Sequence, residues 1–262
     1  MMPFLSHRIF DWVPFEILPS DGLRSVGSGM CYALCNSLLC ERCGLVFLDV
    51  RFSKSEMEKL YRNYRDSEYV RLRARYEPNY KERNERLLKP ISYMSGVERF
   101  LSDLVVDPKC ILDWGGDTGL NTPFKSQRQK LFVYDISDKD VLPGAERVDE
   151  RSLLTHSYNL IVCMNVLEHI PFPRGELKKL YKLMSRETVL YIEVPLEELI
   201  RTGENNPHLK KKHWHEHINF FSEKSLLLLL KSEGFRIKRL SRLQTVSGSN
   251  EEWVWQVACC LD

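Results

Sequence analysis

The residues best suited to hold a ligand are the glycines of the segment I-L-D-W-G-G-D-T-G, which spans residues 111–119. An apolar run brings Asp113 to this turn, and Gly115, Gly116 and Gly119 follow it. Glycine has no Cβ, so its backbone adopts positive φ at little cost and can lie directly against a ligand. A helix that begins after such a turn offers unpaired N–H groups to negatively charged groups. The segment therefore predicts a binding loop between a strand and a helix.

A second acidic residue, Asp135, ends the next apolar run, twenty-two residues after Asp113. At that distance a carboxylate can accept hydrogen bonds from both hydroxyls of a ribose. A dinucleotide site requires G-x-G-x-x-G. The order here is acid-x-Gly-x-x-x-Gly, and Asp117 stands where a middle glycine is expected. An acidic loop disfavours a pyrophosphate but tolerates a sulfonium cation, so the pattern argues against a dinucleotide.

Four cysteines near the start form a candidate metal site. Cys31, Cys35, Cys40 and Cys43 follow the spacing C-x3-C-x4-C-x2-C, and the last pair lies in C-E-R-C-G. A C-x2-C-G turn leaves backbone N–H groups free to donate to thiolate sulfur, as in a zinc knuckle. The short spacers, however, make a four-cysteine site cramped. Two interpretations stay open: structural zinc, with Cys40 and Cys43 as the stronger ligands, or a metal-free module with buried thiols.

The composition indicates a globular chain with one large domain and a small addition. Its 262 residues are 43% apolar and 28% charged, which excludes a disordered or collagen-like protein. The net charge is only +2, a balance that argues against a dedicated nucleic-acid-binding protein. The sequence predicts neither a membrane span nor a secretory signal, and its thiols suit a reducing compartment. We therefore expect a cytoplasmic protein.

The chain divides into three segments of different composition and pattern. Residues 1–50 hold half of the cysteines, and residues 51–90 are charged and rich in tyrosine. Residues 91–262 alternate apolar runs with segments of helical periodicity. The last pattern predicts an α/β sheet. We predict strands at Cys110–Trp114, Lys130–Tyr134, Tyr158–Met164 and Val189–Val194, and an antiparallel edge hairpin of Phe235–Leu243 with Glu252–Cys260. Helices are expected after the Ser53–Glu56 capping box, at about 91–106, around Leu177, and from Ser222 to Gly234.

Together these segments resemble class I S-adenosylmethionine-dependent methyltransferases. The glycine turn, the strand end V-Y-D-I-S and the stretch Y-N-L-I-V-C-M-N-V-L-E-H-I-P-F-P look like the first, second and fourth motifs of that family. The later stretch H-W-H-E-H-I-N-F-F, followed by a helix and G-F, is similar to a branch rich in sugar and natural-product methyltransferases. The resemblance covers roughly residues 91–262. Members of that branch often carry an N-terminal zinc module.

The resemblance implies a doubly wound, seven-stranded Rossmann-like sheet that binds S-adenosylmethionine across the carboxyl ends of its strands. The methionine portion would be held by Asp113, Gly115, Gly116 and Gly119, with Asp117 in the place of the family's middle glycine. Asp135 would hold the ribose and Ile136 would pack on the adenine. Asp149, near the end of a third short strand, would contact the adenine edge. The pocket floor would be lined by Asn165, Leu167, Glu168 and His169.

Methyl transfer from a sulfonium is an in-line displacement, for which the protein aligns the acceptor, excludes water and often removes one proton. Histidine is the usual base near neutral pH. Within ten residues the chain carries His208, His213, His215, Glu216 and His217. A histidine occupies the place of His217 in the resembling branch, so we predict His217 as general base, with His169 as the alternative. Glu216 or His215 would orient His217 or bind the acceptor. The H-x-H-x-H alternation also permits a metal site, although such clusters usually line a polar pocket.

Residues 61–86 interleave five tyrosines with arginines. Three interpretations stay open: a lid that grips a phosphate or carboxylate of the acceptor, a helix that packs its tyrosines on the catalytic domain, or an RNA-binding segment, which the net charge of only +2 disfavours. The expected activity is methyl transfer to a small acceptor, and the resemblance favours a hydroxyl of a sugar, nucleotide sugar or glycan precursor. Carbon methylation of a keto-sugar, RNA methylation and a non-catalytic binding role are the alternatives.

Overall fold

A computed structural model describes residues 2–13, 15–18, 20, 29–31, 35–137, 139–203, 205–210, 216–247 and 250–262. His213 and His215 of the predicted histidine cluster lie outside these residues, and so does the side chain of Cys31. Among the residues described, no helix combines the length and apolarity that a bilayer crossing requires.

Among the described residues, the strands of the N-terminal part have three residues each, and those after residue 109 have between two and thirteen. The strands are β1 (Phe15–Ile17), β2 (Gly29–Cys31), β3 (Ser37–Leu39), β4 (Val46–Leu48), β5 (Cys110–Trp114), β6 (Lys130–Tyr134), β7 (Ala145–Arg147), β8 (Leu160–Met164), β9 (Val189–Pro195), β10 (Asn219–Phe220), β11 (Phe235–Ser247) and β12 (Asn250–Leu261). The helices are α1 (Pro3–Phe10), α2 (Lys54–Tyr61), α3 (Ser67–Tyr76), α4 (Tyr80–Leu87), α5 (Met94–Leu101), α6 (Pro173–Leu183), α7 (Glu198–Arg201), α8 (Pro207–Lys210) and α9 (Glu223–Ser232).

Seven strands form one mixed sheet in the order β11-β12-β9-β8-β5-β6-β7, which confirms the predicted fold class. The five strands from β9 to β7 are parallel, whereas β12 pairs antiparallel with β9 and β11 with β12. The predicted edge hairpin is thereby confirmed. The chain moves from β5 outward to β7 and then returns to place β8 on the other side of β5. This reversal creates a crevice at the carboxyl ends of β5 and β8, where open α/β sheets bind their ligands.

Alternating strand residues bury two apolar layers, one on each face of this sheet. Leu112 of β5 packs in a core that includes Leu177 of α6 and Leu226 of α9. The preceding residue, Ile111, packs in a separate core that includes Val97 of α5. Successive side chains of a strand point to opposite faces of the sheet. A strand with a mostly apolar sequence, such as C-I-L-D-W, therefore contributes side chains to both layers.

The strand bounds of β5 and β6 match the prediction residue for residue. The predicted helix at about 91–106 is shorter, because the chain leaves α5 through a tight turn in which Leu104 donates to the Leu101 carbonyl (2.9 Å). The helix expected after the glycine turn is wrong: residues 115–129 form turns. Pro123 and the lack of a helical apolar period explain this. The backbone N–H groups that this loop can offer to a ligand therefore belong to turns and not to a helix N-terminus.

The N-terminal part contains a second, three-stranded sheet that includes one short strand from the later chain. Helix α1, strand β4 and helices α2 to α4 share a core that also buries Ile218 and Phe220, on either side of Asn219. Strand β10 pairs with β4, which in turn pairs with β3. The predicted capping box of Ser53 and Glu56 is confirmed at the start of α2. The division of the chain into 1–50, 51–90 and 91–262 stays a prediction. The shared core holds the residues around β10 and thereby places the segment just before β10 at the cleft.

Candidate active site

The glycine turn lies at the carboxyl end of β5. Gly115 has φ +74°, in the left-handed region, and its N–H donates to the carbonyl of Tyr134 (2.7 Å). A Cβ on Gly115 would lie 2.4 Å from Cγ2 of Val166, and one on Gly116 would lie 2.3 Å from Cγ of Asp113. Carbon atoms do not approach so closely without a shift, so both positions require glycine. The contact with Val166 also places the turn against the loop that follows β8.

Asp135 lies directly beside this turn. The N–H of Asp117 donates to Oδ2 of Asp135 (2.8 Å), and the N–H of Ser137 donates to its Oδ1 (2.7 Å). Two backbone donors thus fix the carboxylate at the end of β6. Asp117 itself has φ +52°, a conformation that aspartate tolerates better than most residues, and its carboxylate pairs with Lys139 (2.9 Å). This explains how an aspartate replaces the family's middle glycine.

Asp113 is a buried acid beneath the turn, with 4% of its surface exposed. Thr122 donates its hydroxyl to Oδ2 of Asp113 at 2.5 Å. Burial raises the pKa of Asp113 to about 6, against the hydrogen bond from Thr122 and the charge of Arg128. The negative charges of Asp135 and Asp117 add to the rise in its pKa. Such an acid gains from a positively charged ligand, since a nearby cation stabilises its ionised form.

A cleft of about 2270 Å³ opens above the carboxyl ends of β5, β6, β8 and β9. This volume exceeds the roughly 300–1,000 Å³ of typical small-molecule pockets, so it can hold a nucleoside cofactor and a second molecule together. One wall carries Asp135, Ile136 and Asn165; the other carries Tyr61 and Tyr64 of the N-terminal helical part. Ile136 is 51% exposed, an apolar surface next to the Asp135 carboxylate.

The predicted cofactor, S-adenosylmethionine, fits these residues. Asp135 can accept hydrogen bonds from ribose hydroxyls, and the exposed face of Ile136 suits an adenine. The acids around the turn suit a molecule that carries a sulfonium and an ammonium group. The space beside Gly116 is kept open because a side chain there would meet Asp113. Asp149 lines the cleft, and its Oδ1 accepts N–H bonds from Arg151 and Ser152, so it also caps a short turn.

Two predicted pocket residues lie below the cleft rather than in its wall. Leu167 has no exposed surface and packs in the sheet core, because the turn at 167–169 directs it inward; its predicted place in the pocket floor is wrong. Val166 lines the cleft instead. Gly119 has φ +78°, and a Cβ there would lie 3.1 Å from Leu131 and Val133. Its glycine permits close packing on β6, and its contact with the cofactor stays a prediction.

Three side chains that border the cleft lie close together: Glu168, His169 and His217. One ligand atom from each lies within 4.8 Å of the other two. His169 Nε2 is 3.7 Å from Oε1 of Glu168. Burial raises the pKa of Glu168 to about 7 and lowers the pKa of His169 to about 3. Burial alone would lower the pKa of His217. The hydrogen bond with Glu197 and the charge of Glu168 outweigh this effect, so the pKa of His217 is raised overall.

Glu197, which the sequence reasoning missed, orients His217. Its Oε1 lies 3.1 Å from His217 Nδ1. Glu197 is the second residue after β9, the strand next to β8. The loops at the carboxyl ends of neighbouring parallel strands meet, so an acid at this position could have been predicted to lie in the site. The sequence V-P-L-E-E-L-I instead suggests an acid on the surface of a helix.

The predicted orienting role of the Glu216 side chain is wrong. Its carboxylate accepts the hydroxyl proton of Tyr69 (2.7 Å) and pairs with Arg73, both on α3. Burial alone would raise the pKa of Glu216, but Arg73, His169 and the Tyr69 hydroxyl lower it to about 2. The backbone carbonyl of Glu216 instead bonds Nδ1 of His169 (3.1 Å). The other predicted orienting residue, His215, is outside the described residues.

The N-terminal cysteines do not complete the predicted four-ligand site within the described residues. Cys35, Cys40 and Cys43 do not form a group with all three sulfurs close enough to share one ion. Hydrogen bonds from the backbone of Cys43 and Arg42 lower the pKa of Cys40, as expected for a C-x2-C turn. Zinc on these residues and Cys31 stays a prediction.

Comparison with known proteins identifies the fold and the family. A family model described as a methyltransferase domain matches residues 61–240. No curated protein matches the chain. Among solved structures, 1,6-didemethyltoxoflavin-N1-methyltransferase of Burkholderia thailandensis has a TM-score of 0.56 at 14% identity, covering 87% of this chain and 100% of that one.

Two further structures are more distant in shape. A SAM-dependent methyltransferase from Anabaena variabilis has 15% identity and a TM-score of 0.48, covering 65% of this chain and 84% of that one. Magnesium protoporphyrin IX methyltransferase of Synechocystis has 18% identity and a TM-score of 0.44, covering 63% and 81%. The family match spans more than half of the chain. The chain therefore belongs to the methyltransferase domain family and is a class I S-adenosylmethionine-dependent methyltransferase.

Proposed function

We propose that this enzyme transfers a methyl group from S-adenosylmethionine to a hydroxyl of a small acceptor, such as a sugar or glycan precursor. The observation that carries the proposal is the cluster of Glu168, His169 and His217, which borders the same cleft as the glycine turn. Its free atoms can accept a hydrogen bond from a hydroxyl that enters the cleft. The contact between Gly115 and Val166 brings the turn and this cluster to the same end of the sheet.

The chain's own residues would perform three tasks in this reaction. Asp135, Ile136 and the turn at Gly115 and Gly116 would bind the cofactor, which supplies a methyl group on a positively charged sulfur. The cluster would hold the acceptor oxygen in line with that methyl group and take up its hydroxyl hydrogen bond. His217 stays our predicted general base, with Glu197 fixing its ring. The wall formed by Tyr61 and Tyr64 would exclude water from the cleft.

A small acceptor is supported by the wall opposite the sheet. Tyrosine rings there can stack on a sugar or another flat molecule, and the arginines on α4, Arg83 and Arg86, also line the cleft. The Burkholderia enzyme, whose fold this chain shares, is named for methyl transfer to 1,6-didemethyltoxoflavin and was solved with that molecule bound. A sugar phosphate or nucleotide sugar would use both the aromatic and the basic part of this wall.

Calorimetry with S-adenosylmethionine tests cofactor binding. We expect wild type to bind it and Gly116→Ala to lose binding, because the added Cβ would lie 2.3 Å from Asp113. Gly96→Ala is the matched control, since its Cβ would meet Leu243 at an ordinary 3.4 Å, away from the cleft. No heat with wild type would indicate a non-catalytic binding protein.

Methyl-labelled cofactor, offered with a panel of sugars, nucleotide sugars and a short RNA, tests the acceptor class. The proposal predicts label on the oxygen of a sugar. Label on carbon would indicate a keto-sugar C-methyltransferase, and label on RNA would contradict a small acceptor.

A further inference from the structure

The atoms that the cluster presents to the cleft are two imidazole nitrogens and one carboxylate. His169 Nδ1 faces the backbone carbonyl of Glu216 (3.1 Å), and His217 Nδ1 faces the carboxylate of Glu197 (3.1 Å). A carbonyl and an ionised carboxylate only accept hydrogen bonds, so each Nδ1 carries the proton when the ring is neutral. Both Nε2 atoms are then free to donate a lone pair.

The third member, Glu168, is buried, and its carboxylate lacks a hydrogen-bond partner among the described residues. The residue is only 1% exposed but nevertheless borders the cleft. A buried carboxylate with no donor costs several kcal/mol as an ion, so native proteins usually supply a partner. While both rings are neutral, neither Nε2 atom carries a proton that it could donate to this carboxylate.

The backbone around the cluster is already fixed. The N–H groups of Ile218 and Asn219 donate to the carbonyl of Glu168 (2.8 and 3.0 Å), and the Asn219 side chain donates to the carbonyls of Leu167 and Ile170. These bonds tie the loop after β8 to the chain before β10. The backbone on either side of His169 and His217 is therefore fixed, and each ring has an outer partner on Nδ1, as in metal sites whose outer partners orient the ligands.

We propose that Glu168, His169 and His217 bind a divalent transition-metal ion, with open coordination positions toward the acceptor. Two imidazoles and one carboxylate form the three-ligand set of catalytic zinc sites and also suit Mn²⁺. Ligands at about 2.1 Å from one ion lie at most about 4.2 Å apart. The present span of up to 4.8 Å therefore requires only small side-chain rotations.

The ion would deepen the proposed function by activating the acceptor. A hydroxyl bound to a divalent cation has a lowered pKa, so its proton can pass to water in the cleft. The oxygen then forms a bond to the methyl carbon, the carbon–sulfur bond breaks, and its electron pair stays on sulfur. His217 would then act as a ligand, so the metal would replace its predicted role as base. This catalytic role rests on the proposed function, whereas metal binding itself does not.

Titration with Mn²⁺, followed by loss of the electron paramagnetic resonance signal of the free ion, tests the proposal. We expect wild type to bind one ion, and Glu168→Gln and His217→Ala to weaken binding at least about tenfold. Glu197→Gln, which changes the group that faces Nδ1 of His217, should weaken it by roughly 10- to 100-fold. Mn²⁺ suits this test because thiolates prefer softer ions, so the N-terminal cysteines contribute little.

Glu187→Gln on an exposed turn and His156→Ala, outside the cleft, are the matched controls and should bind like wild type. Circular dichroism checks folding, and Glu168→Gln should fold because it removes an unpaired buried charge. Absence of Mn²⁺ binding in the millimolar range, or equal binding by every folded variant, would overturn the proposal. Calorimetry of wild type with S-adenosylmethionine, with and without Mn²⁺, separates the two ideas: cofactor binding without metal binding rejects the metal site alone.

Discussion

The buried acid under the glycine turn makes the folded state sensitive to pH. We expect Asp113→Asn to stabilise the cofactor-free protein above about pH 6. Asparagine has nearly the same shape, and its carbonyl can still accept the hydroxyl proton of Thr122. The variant removes the cost of ionising a carboxyl group that burial holds at a pKa of about 6, against an ordinary 3.8.

The sign and size follow from proton linkage. Between about pH 4 and pH 6 the folded state binds more protons at Asp113 than the unfolded state does, so the free energy of unfolding falls as pH rises through this window. The pKa difference corresponds to a cost of about 1 kcal/mol near pH 4.5 and about 3 kcal/mol near pH 7.5. The stabilisation by Asp113→Asn should therefore grow by about 2 kcal/mol between these two pH values.

Urea denaturation at both pH values measures this difference. Asp140→Asn, at an exposed position after β6, is the control and should change the free energy of unfolding little at either pH. Equal stabilisation by Asp113→Asn at the two pH values would refute the reasoning, because it would mean that burial does not shift the pKa of this carboxyl group.

Two further variants test the contacts that hold the site. Arg73→Met should lower the free energy of unfolding by about 3–5 kcal/mol, because it leaves the buried Glu216 carboxylate without its cation. Arg73→Met combined with Glu216→Leu should recover part of that loss in the same denaturation assay, and no recovery would contradict the pairing. Asp135→Asn should weaken S-adenosylmethionine binding by about 10- to 100-fold, since it removes the charge from a hydrogen-bond acceptor. Unchanged affinity by calorimetry would remove Asp135 from the ribose site.

The central strands could be predicted because their apolar runs end at glycine or acidic residues. Lys130–Tyr134 is an example. The apolar residues Leu131, Phe132 and Val133 predict a buried strand, and the aspartate that follows Tyr134 marks its carboxyl end. The N-cap of α9 was equally clear, since the Ser222 side chain accepts the N–H of Ser225. Local chemistry decides these features, so a single sequence is sufficient.

The features that could not be predicted depend on residues far apart in the chain. Strand β10 has only two residues and no pattern of its own, and it exists because it pairs with Val46 and Phe47. The ion pair of Glu216 with Arg73 joins positions 143 residues apart. Glu197 resembled a surface acid until the fold brought it to His217. The predicted helix after the glycine turn failed for a local reason, since Pro123 interrupts that segment.

A crystal structure with S-adenosylhomocysteine, the demethylated product, would show directly whether the cleft is the cofactor site. We expect the ribose hydroxyls within hydrogen-bond distance of Asp135, the amino-acid end against Gly115 and Gly116, and the sulfur facing the cluster of Glu168, His169 and His217. A product molecule bound elsewhere in the cleft, with Asp135 still holding only its two backbone donors, would contradict this expectation.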